Sequence, residues 1–187
     1  MKRITLYAVL VIVVIVAGVA IWLRLMQRPA AVLNAPPVQP HVQDLAGQEA
    51  PPFSAVDLHG QLIESSHLRG KVIVLNIWAT WCGPCVEEMP RIEREIWQRF
   101  RPDVQVVAAA ASENAAKVAE FNRHMNLTFP LVPDENREIA TYYGGRDVIP
   151  RIYVIDRTGH IVHQTRGYGE EEFAGMVSAV ERAVAAR

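Results

Sequence analysis

The stretch NIWATWCGPCVEEMP, residues 76–90, holds both cysteines of the chain, Cys82 and Cys85, with only Gly83 and Pro84 between them. Just before it, KVIVLNIWA (71–79) is an almost unbroken apolar run rich in β-branched residues, the pattern of a strand buried on both faces. Just after it, VEEMPRIEREIWQRF (86–100) spaces Met89, Ile92, Ile96 and Phe100 as one face of a helix. The cysteine pair therefore sits where a buried strand hands the chain to a helix.

That position carries a chemical consequence. Unsatisfied backbone N–H groups and the positive end of the helix macrodipole converge on Cys82 and favour thiolate over thiol. Cys82 is thus the expected attacking sulfur. Cys85, one turn on, is the expected resolving thiol that attacks the mixed disulfide. Pro84 is tolerated there, because N–H groups of a first helical turn lack intrahelical partners. Glu88, three residues after Cys85, falls on the same helix face and reads equally as a carboxylate that tunes the thiols or relays protons and as an ordinary first-turns acid stabilised by the helix dipole. Glu87 reads as an ordinary helix-surface acid.

Other uses of two close cysteines fit less well. A structural zinc site needs four ligands, and His160 and His163, three apart in a predicted strand, point to opposite faces. A purely structural disulfide across so short a loop gains little chain entropy. Dithiol exchange uses both sulfurs and the helix start. A thiol peroxidase, which would form a trappable sulfenate, and a non-catalytic copper chaperone using both sulfurs as soft ligands are the alternatives. No organic cofactor and no metal are expected.

Outward from the motif, FSAVDLHGQLIESSHL reads as two short strands around the turn signal His59-Gly60. VQVVAAAA is the next strand, followed by a helix over about Glu113–Met125 with Val118 and Phe121 facing inward. TFPLV is a strand candidate, and ENREIATYYG a short helix closed by Gly144. RIYVID and HIVHQTRG form a hairpin through Asp156-Arg157-Thr158-Gly159, and a last helix spans about Glu170–Ala185. Strands alternating with helices imply an α/β mixed sheet with helices on both faces. Pro90 is expected to kink the helix after the cysteines by deleting a backbone bond. Trp78 reads as core, and Trp81 as a flank that shields the reactive sulfur.

The chain has 187 residues, with 19 basic and 20 acidic side chains and no basic block, which argues against a nucleic-acid partner. Residues 4–23 contain no charge and, as a helix, would span the hydrocarbon core of a bilayer. Gly18-Val19-Ala20 offers small residues for signal cleavage, but the run is longer than a signal's apolar core, so an uncleaved anchor is expected. Residues 1–3 then form a short cytoplasmic tail. Residues 24–52 carry Pro29, Pro36, Pro37, Pro40, Pro51 and Pro52 and read as a semi-rigid spacer; residues 53–187 form the domain.

WCGPC resembles the active site of thioredoxins. The longer KVIVLNIWATWCGPCVEEMP, with APPFSAVDLHGQLIESSHLRG (50–70) ahead of it, resembles the membrane-anchored TlpA/ResA/DsbE (CcmG)-type branch, from about Gly47 to the last helix. The resemblance implies a thioredoxin-like fold with an N-terminal β-hairpin and a central helix–strand insertion. It implies a monomeric reductant tethered to the inner membrane through its N-terminal helix, with its soluble domain facing the periplasm or cell exterior. Such a reductant is recharged by an upstream membrane electron donor and reduces client disulfides, as in apocytochrome c or copper-site assembly proteins. Glu88 matches the branch's functional carboxylate. Asn76 stands where thioredoxins keep a buried aspartate, which moves acid–base work elsewhere; a buried Asn satisfying backbone groups is the structural reading. Ile149-Pro150 matches the cis-proline turn beside the cysteines, whose Ile149 backbone would pair with an extended client. Trp81, Gly83 and Pro84 complete the expected docking surface. Arg151, where relatives often carry a small hydroxyl residue, would add positive charge to that groove.

Overall fold

A computed structural model describes residues 44–144 and 148–186, together with Val19. The apolar run at 4–23 and the linker up to residue 43 lie outside the described residues, apart from Val19. Among the described residues no helix is long and apolar enough to cross a membrane.

An antiparallel hairpin, β1 (Ser54–Val56) and β2 (Leu62–Glu64), precedes a short 3-10 turn at Ser65–Leu68. The main sheet follows: β3 (Val72–Trp78), β4 (Val104–Ala111), β5 (Leu131–Asp134), β6 (Arg151–Ile155) and β7 (Ile161–Arg166). Its spatial order is β5-β4-β3-β6-β7, with β3, β4 and β5 parallel and β6 and β7 antiparallel. The helices are α1 (Gly83–Arg91), α2 (Ala115–Met125), α3 (Glu138–Tyr142) and α4 (Glu170–Ala185). This is the expected thioredoxin-like α/β fold, with the hairpin in front and α2–β5 as the helix–strand insertion.

β3 is central, and all seven of its residues are buried. Its alternation divides the interior in two. Val72, Val74 and Trp78 share one core with Cys82, Cys85, Met89, Ile92 and the α4 residues Phe173, Met176 and Val180. Ile73, Leu75 and Ile77 share the other with Phe53, Ile139, Tyr143 and Tyr153. Fully burying each such apolar side chain is worth ~1.5–3 kcal/mol. The alanines of β4 make room for bulk beside them. Trp78 is paired with Ala110, and its ring lies against Phe121 of α2, centroids 4.8 Å apart.

Pro90 does not end the helix. The chain passes it and widens into a π-helical segment at Ile92–Trp97, closing with an α turn at Gln98–Phe100. A missing N–H at Pro90 frees the carbonyl four residues earlier, and the ladder beyond relaxes to wider spacing. α2 begins at Ala115, two residues later than the sequence suggested. Asn114 takes the N-cap and accepts the Lys117 N–H at 3.0 Å, which leaves Glu113 outside the helix.

Packing starts ahead of Phe53. Leu45 is buried, Gly47 N–H donates to the Ile161 carbonyl at 2.7 Å, and Ile161 N–H donates to the Gln48 carbonyl at 2.9 Å. Residues 45–49 thus run along the outer edge of β7.

Candidate active site

β3 delivers the chain to the active-site loop. Cys82 has extended backbone angles and caps α1, and its Sγ accepts the Cys85 N–H at 3.3 Å. The two cysteines form a disulfide. They differ in access: Cys82 is 6% exposed and Cys85 is 0% exposed. The N–H directed at Cys82 Sγ is one of the orphan donors of a helix start, and it would stabilise negative charge on that sulfur once reduced.

The residues flanking Cys82 are exposed. Trp81, expected to flank and shield the reactive sulfur, directly precedes Cys82 and is 69% exposed. Cys82 itself is buried and belongs to the core. Gly83 and Pro84 are exposed, and a Cβ at Gly83 would meet nothing within 4 Å.

The inner face of α1 carries Cys85, Glu88 and Met89. Glu88 is 2% exposed, and its Oε2 has no hydrogen-bond partner among the described residues. Burial pushes its carboxyl up from 4.5 to about 8, against the opposing pull of the Arg91 guanidinium one turn on. Arg91 itself is held by Glu95 at 2.9 Å, Glu170 at 2.9 Å and the Tyr168 hydroxyl at 3.3 Å, over the Phe173 ring. Glu87 points to solvent.

Asn76 faces the same core as the cysteines and is fully buried. Neither its Oδ1 nor its Nδ2 has a partner among the described residues. It therefore does not satisfy backbone groups, which was its structural reading from sequence.

Ile149-Pro150 is a cis peptide. Ile77 of β3 pairs with Arg151 of β6, so the same antiparallel register continued one step sets Pro150 level with Trp78. The proline turn thus lies at the end of the sheet from which Cys82 emerges. The Pro150 carbonyl accepts the Gly167 N–H at 2.8 Å, while Ile149 N–H and C=O meet no backbone partner among the described residues. Arg151 departs from its expected place. It is fully buried, on the opposite face of the sheet, against Tyr143, Gly144 and Tyr153. Residues alternate faces along a strand, and the pairing with Ile77 sends this side chain into the second core.

Glu113 is the residue that sequence reading missed. It is 2% exposed, and its carboxylate accepts both the Thr80 N–H at 2.9 Å and the Thr80 hydroxyl at 2.7 Å, with Lys117 Nζ at 2.6 Å. It holds the loop that carries Trp81 and Cys82. The signal available in the sequence was Asn114, a better N-cap than Glu113, which moves Glu113 out of the helix.

A strand, a helix-capping cysteine, a second buried cysteine and a facing proline turn make a dithiol site on a thioredoxin-like scaffold, and the redoxin family model matches residues 45–184. The chain belongs to the redoxin family. It is 35% identical over 127 residues to the thiol-disulfide oxidoreductase ResA of Bacillus thuringiensis subsp. konkukian, covering 67% of this chain and 72% of that protein. The solution structure of a Bacteroides thetaiotaomicron protein described as a protein disulfide isomerase superposes with a TM-score of 0.71 at 38% identity, covering 75% of this chain and 90% of that one. A thiol:disulfide interchange protein from Chlorobium tepidum superposes with a TM-score of 0.61 at 27% identity, covering 76% and 99%. This redoxin falls in the TlpA/ResA/DsbE group that residues 50–90 resemble. Its enzyme class follows: a protein disulfide reductase working by thiol–disulfide exchange.

Proposed function

We propose that this redoxin is a membrane-tethered reductant acting outside the cytoplasm, in which Cys82 attacks a client disulfide, Cys85 resolves the mixed disulfide and Glu88 manages the proton. The observation that carries the order of the sulfurs is their unequal access: Cys82 is 6% exposed and Cys85 is 0% exposed. In the reduced enzyme the Cys82 thiolate attacks one client sulfur. A Cys82–client disulfide forms, and the other client sulfur leaves and takes up a proton. Cys85 then loses its proton, to Glu88 when that carboxyl is ionised, and attacks Cys82 Sγ. The second client thiol departs. The enzyme is left with the Cys82–Cys85 disulfide and the client has gained two electrons. A dithiol donor at the membrane returns them.

Trp81, Gly83, Pro84, Ile149 and Pro150 form the docking surface in this reading. The Ile149 backbone, without a partner among the described residues, and the exposed Trp81 ring suit an extended, partly apolar client segment. Apocytochrome c before haem attachment and copper-site assembly proteins are the client classes, and residues 4–23 are the anchor. The test is to replace Cys85 with Ala in cells, trap the complex on Cys82 and identify the attached protein. Capture of an extracytoplasmic protein through one of its own paired cysteines is expected. Thiol trapping that finds the unaltered protein steadily oxidised in cells would overturn the reductive direction.

A further inference from the structure

Arg151 follows the docking proline directly, yet its guanidinium is 0% exposed and turned away from the docking face. One nitrogen, Nη1, donates to the Tyr143 carbonyl at 3.1 Å and the Gly144 carbonyl at 2.6 Å, and reaches the Tyr153 hydroxyl at 3.4 Å. Tyr143 and Gly144 follow α3, where helix carbonyls lack intrahelical partners. The Tyr153 hydroxyl donates to the same Tyr143 carbonyl, and the Tyr143 hydroxyl donates to the Pro51 carbonyl at 2.6 Å. The guanidinium Nε and Nη2 meet no acceptor, and no carboxylate pairs with Arg151 among the described residues. A cation buried against two carbonyls and a hydroxyl, with no carboxylate, is costly, and an apolar side chain of similar volume would avoid that cost. What the charge achieves is a link between the two ends of the segment from Gly144 to Arg151.

We infer that Arg151 is a positioning residue for client binding: by tying the carbonyls that close α3 to the residue after Pro150, it fixes the Ile149-Pro150 turn from behind. This rests on the docking reading of that turn given above. Pro150 is held on one side by its carbonyl's bond to Gly167 N–H at the end of β7. On the approach side, Arg151 supplies the bonds to Tyr143 and Gly144. Without them the buried Tyr143 carbonyl keeps only the Tyr153 hydroxyl, the part-buried Gly144 carbonyl loses its donor, the end of α3 can shift, and the Ile149 N–H and C=O, unpartnered among the described residues, lose their fixed aim. Capture of an extended client suffers, while the reacting sulfurs, on the other face of the sheet, keep their geometry.

The three contacts come from a single nitrogen, which makes the test specific. A lysine ammonium has three donors for the same three acceptors, whereas methionine has none. The full-length protein in detergent is kept reduced by an excess of a small dithiol, and its steady-state reduction of an oxidised Cys-x-x-Cys-His peptide is followed with the uncatalysed rate subtracted. Arg151→Met is expected to raise KM about tenfold with kcat within about twofold, and Arg151→Lys to restore KM. If near-ultraviolet circular dichroism shows that Arg151→Met is not folded, Arg151→Gln is measured in its place and should also raise KM. An unchanged KM, a loss confined to kcat, or a Lys variant as impaired as Met overturns the inference. Pro150→Ala, measured in parallel, separates the two readings. If Pro150→Ala raises KM and Arg151→Met does not, the positioning role alone fails. If Pro150→Ala leaves KM unchanged, or the parent protein shows no saturation with the peptide, the docking role of the turn fails and this inference falls with it.

Discussion

Glu113 and Thr80 are joined twice: one carboxylate takes the Thr80 N–H at 2.9 Å and its hydroxyl at 2.7 Å, across 33 positions of sequence. The chain is turned for this at Ser112, a non-glycine residue at φ +63°, whose N–H donates to the Asp134 carbonyl at 2.9 Å. A left-handed conformation is disfavoured for serine. Here it brings an acid from the end of β4 beneath the loop leaving β3, two residues before Cys82. Strand β4 and the cysteine loop are thereby coupled through one buried side chain.

Glu113→Ala should lower stability by about 3 kcal/mol, because it leaves a buried N–H and hydroxyl without their acceptor. Thr80→Val removes only the hydroxyl bond and should cost about 1.5 kcal/mol. Urea unfolding of the oxidised forms checks both. Equal losses in the two variants would mean that the backbone bond adds nothing. The Ala variant should also slow alkylation of reduced Cys82 several-fold, since the loop that presents the sulfur is then less fixed.

The raised carboxyl of Glu88 makes stability depend on pH with a definite sign. In the unfolded chain the group ionises near 4.5, and in the folded protein near 8. Below pH 4.5 both states hold the proton and no penalty exists. Between 4.5 and 8 only the folded state holds it, so unfolding releases a proton and stability falls as pH rises, by ~1.4 kcal/mol per pH unit. Above pH 8 the loss is complete. Glu88→Gln should remove this slope. The difference between parent and variant, from urea titrations of the oxidised proteins at pH 5 and pH 8, should change by roughly 4 kcal/mol in favour of Gln. A difference that stays constant across that range would place the Glu88 titration elsewhere.

How far the sequence reaches is clear from particular residues. The run at 72–79 marks a strand buried on both faces because nothing polar but Asn76 interrupts it, and the 89-92-96 spacing marks the helix after it. Those two signals alone place Cys82 at a helix start, which the structure bears out. Arg151 was harder. Its face follows from pairing with Ile77, and pairing depends on which strands become neighbours, not on any local pattern. Glu113 was hidden for a similar reason: its partner lies on another strand's exit loop, reached only through the backbone turn at Ser112. The π-helical segment also escaped, because apolar spacing is nearly the same for a slightly widened helix.

Asn76 offers a test of whether a polar side chain in the core serves structure. It is fully buried, and neither amide atom has a partner among the described residues. Replacing an unpartnered polar group by an apolar one of similar shape is neutral or stabilising. Asn76→Leu should therefore unfold at a urea concentration no lower than the parent. A loss of more than about 2 kcal/mol would show that the amide is bonded in solution, with ordered internal water as its partner.

Arg91 gives the most direct handle on Glu88. Its guanidinium lies one helical turn beyond the acid and is the positive charge that pulls the Glu88 carboxyl down against burial. It is anchored from three directions, by Glu95, by Tyr168 ahead of α4 and Glu170 within it, and by the Phe173 ring at 3.9 Å. Arg91→Gln keeps the hydrogen-bonding character but removes the charge, so Glu88 should titrate above the parent's value of about 8. Carbon-13 carboxyl shifts of glutamate-labelled, oxidised protein read this directly, with the cysteines unable to titrate. The fall in stability with rising pH should then extend to higher pH than in the parent, because the folded state keeps its proton longer. If the Glu88 resonance titrates at the parent's value in Arg91→Gln, the two neighbouring carboxylates already neutralise Arg91 and it has no influence on the acid beside the cysteines.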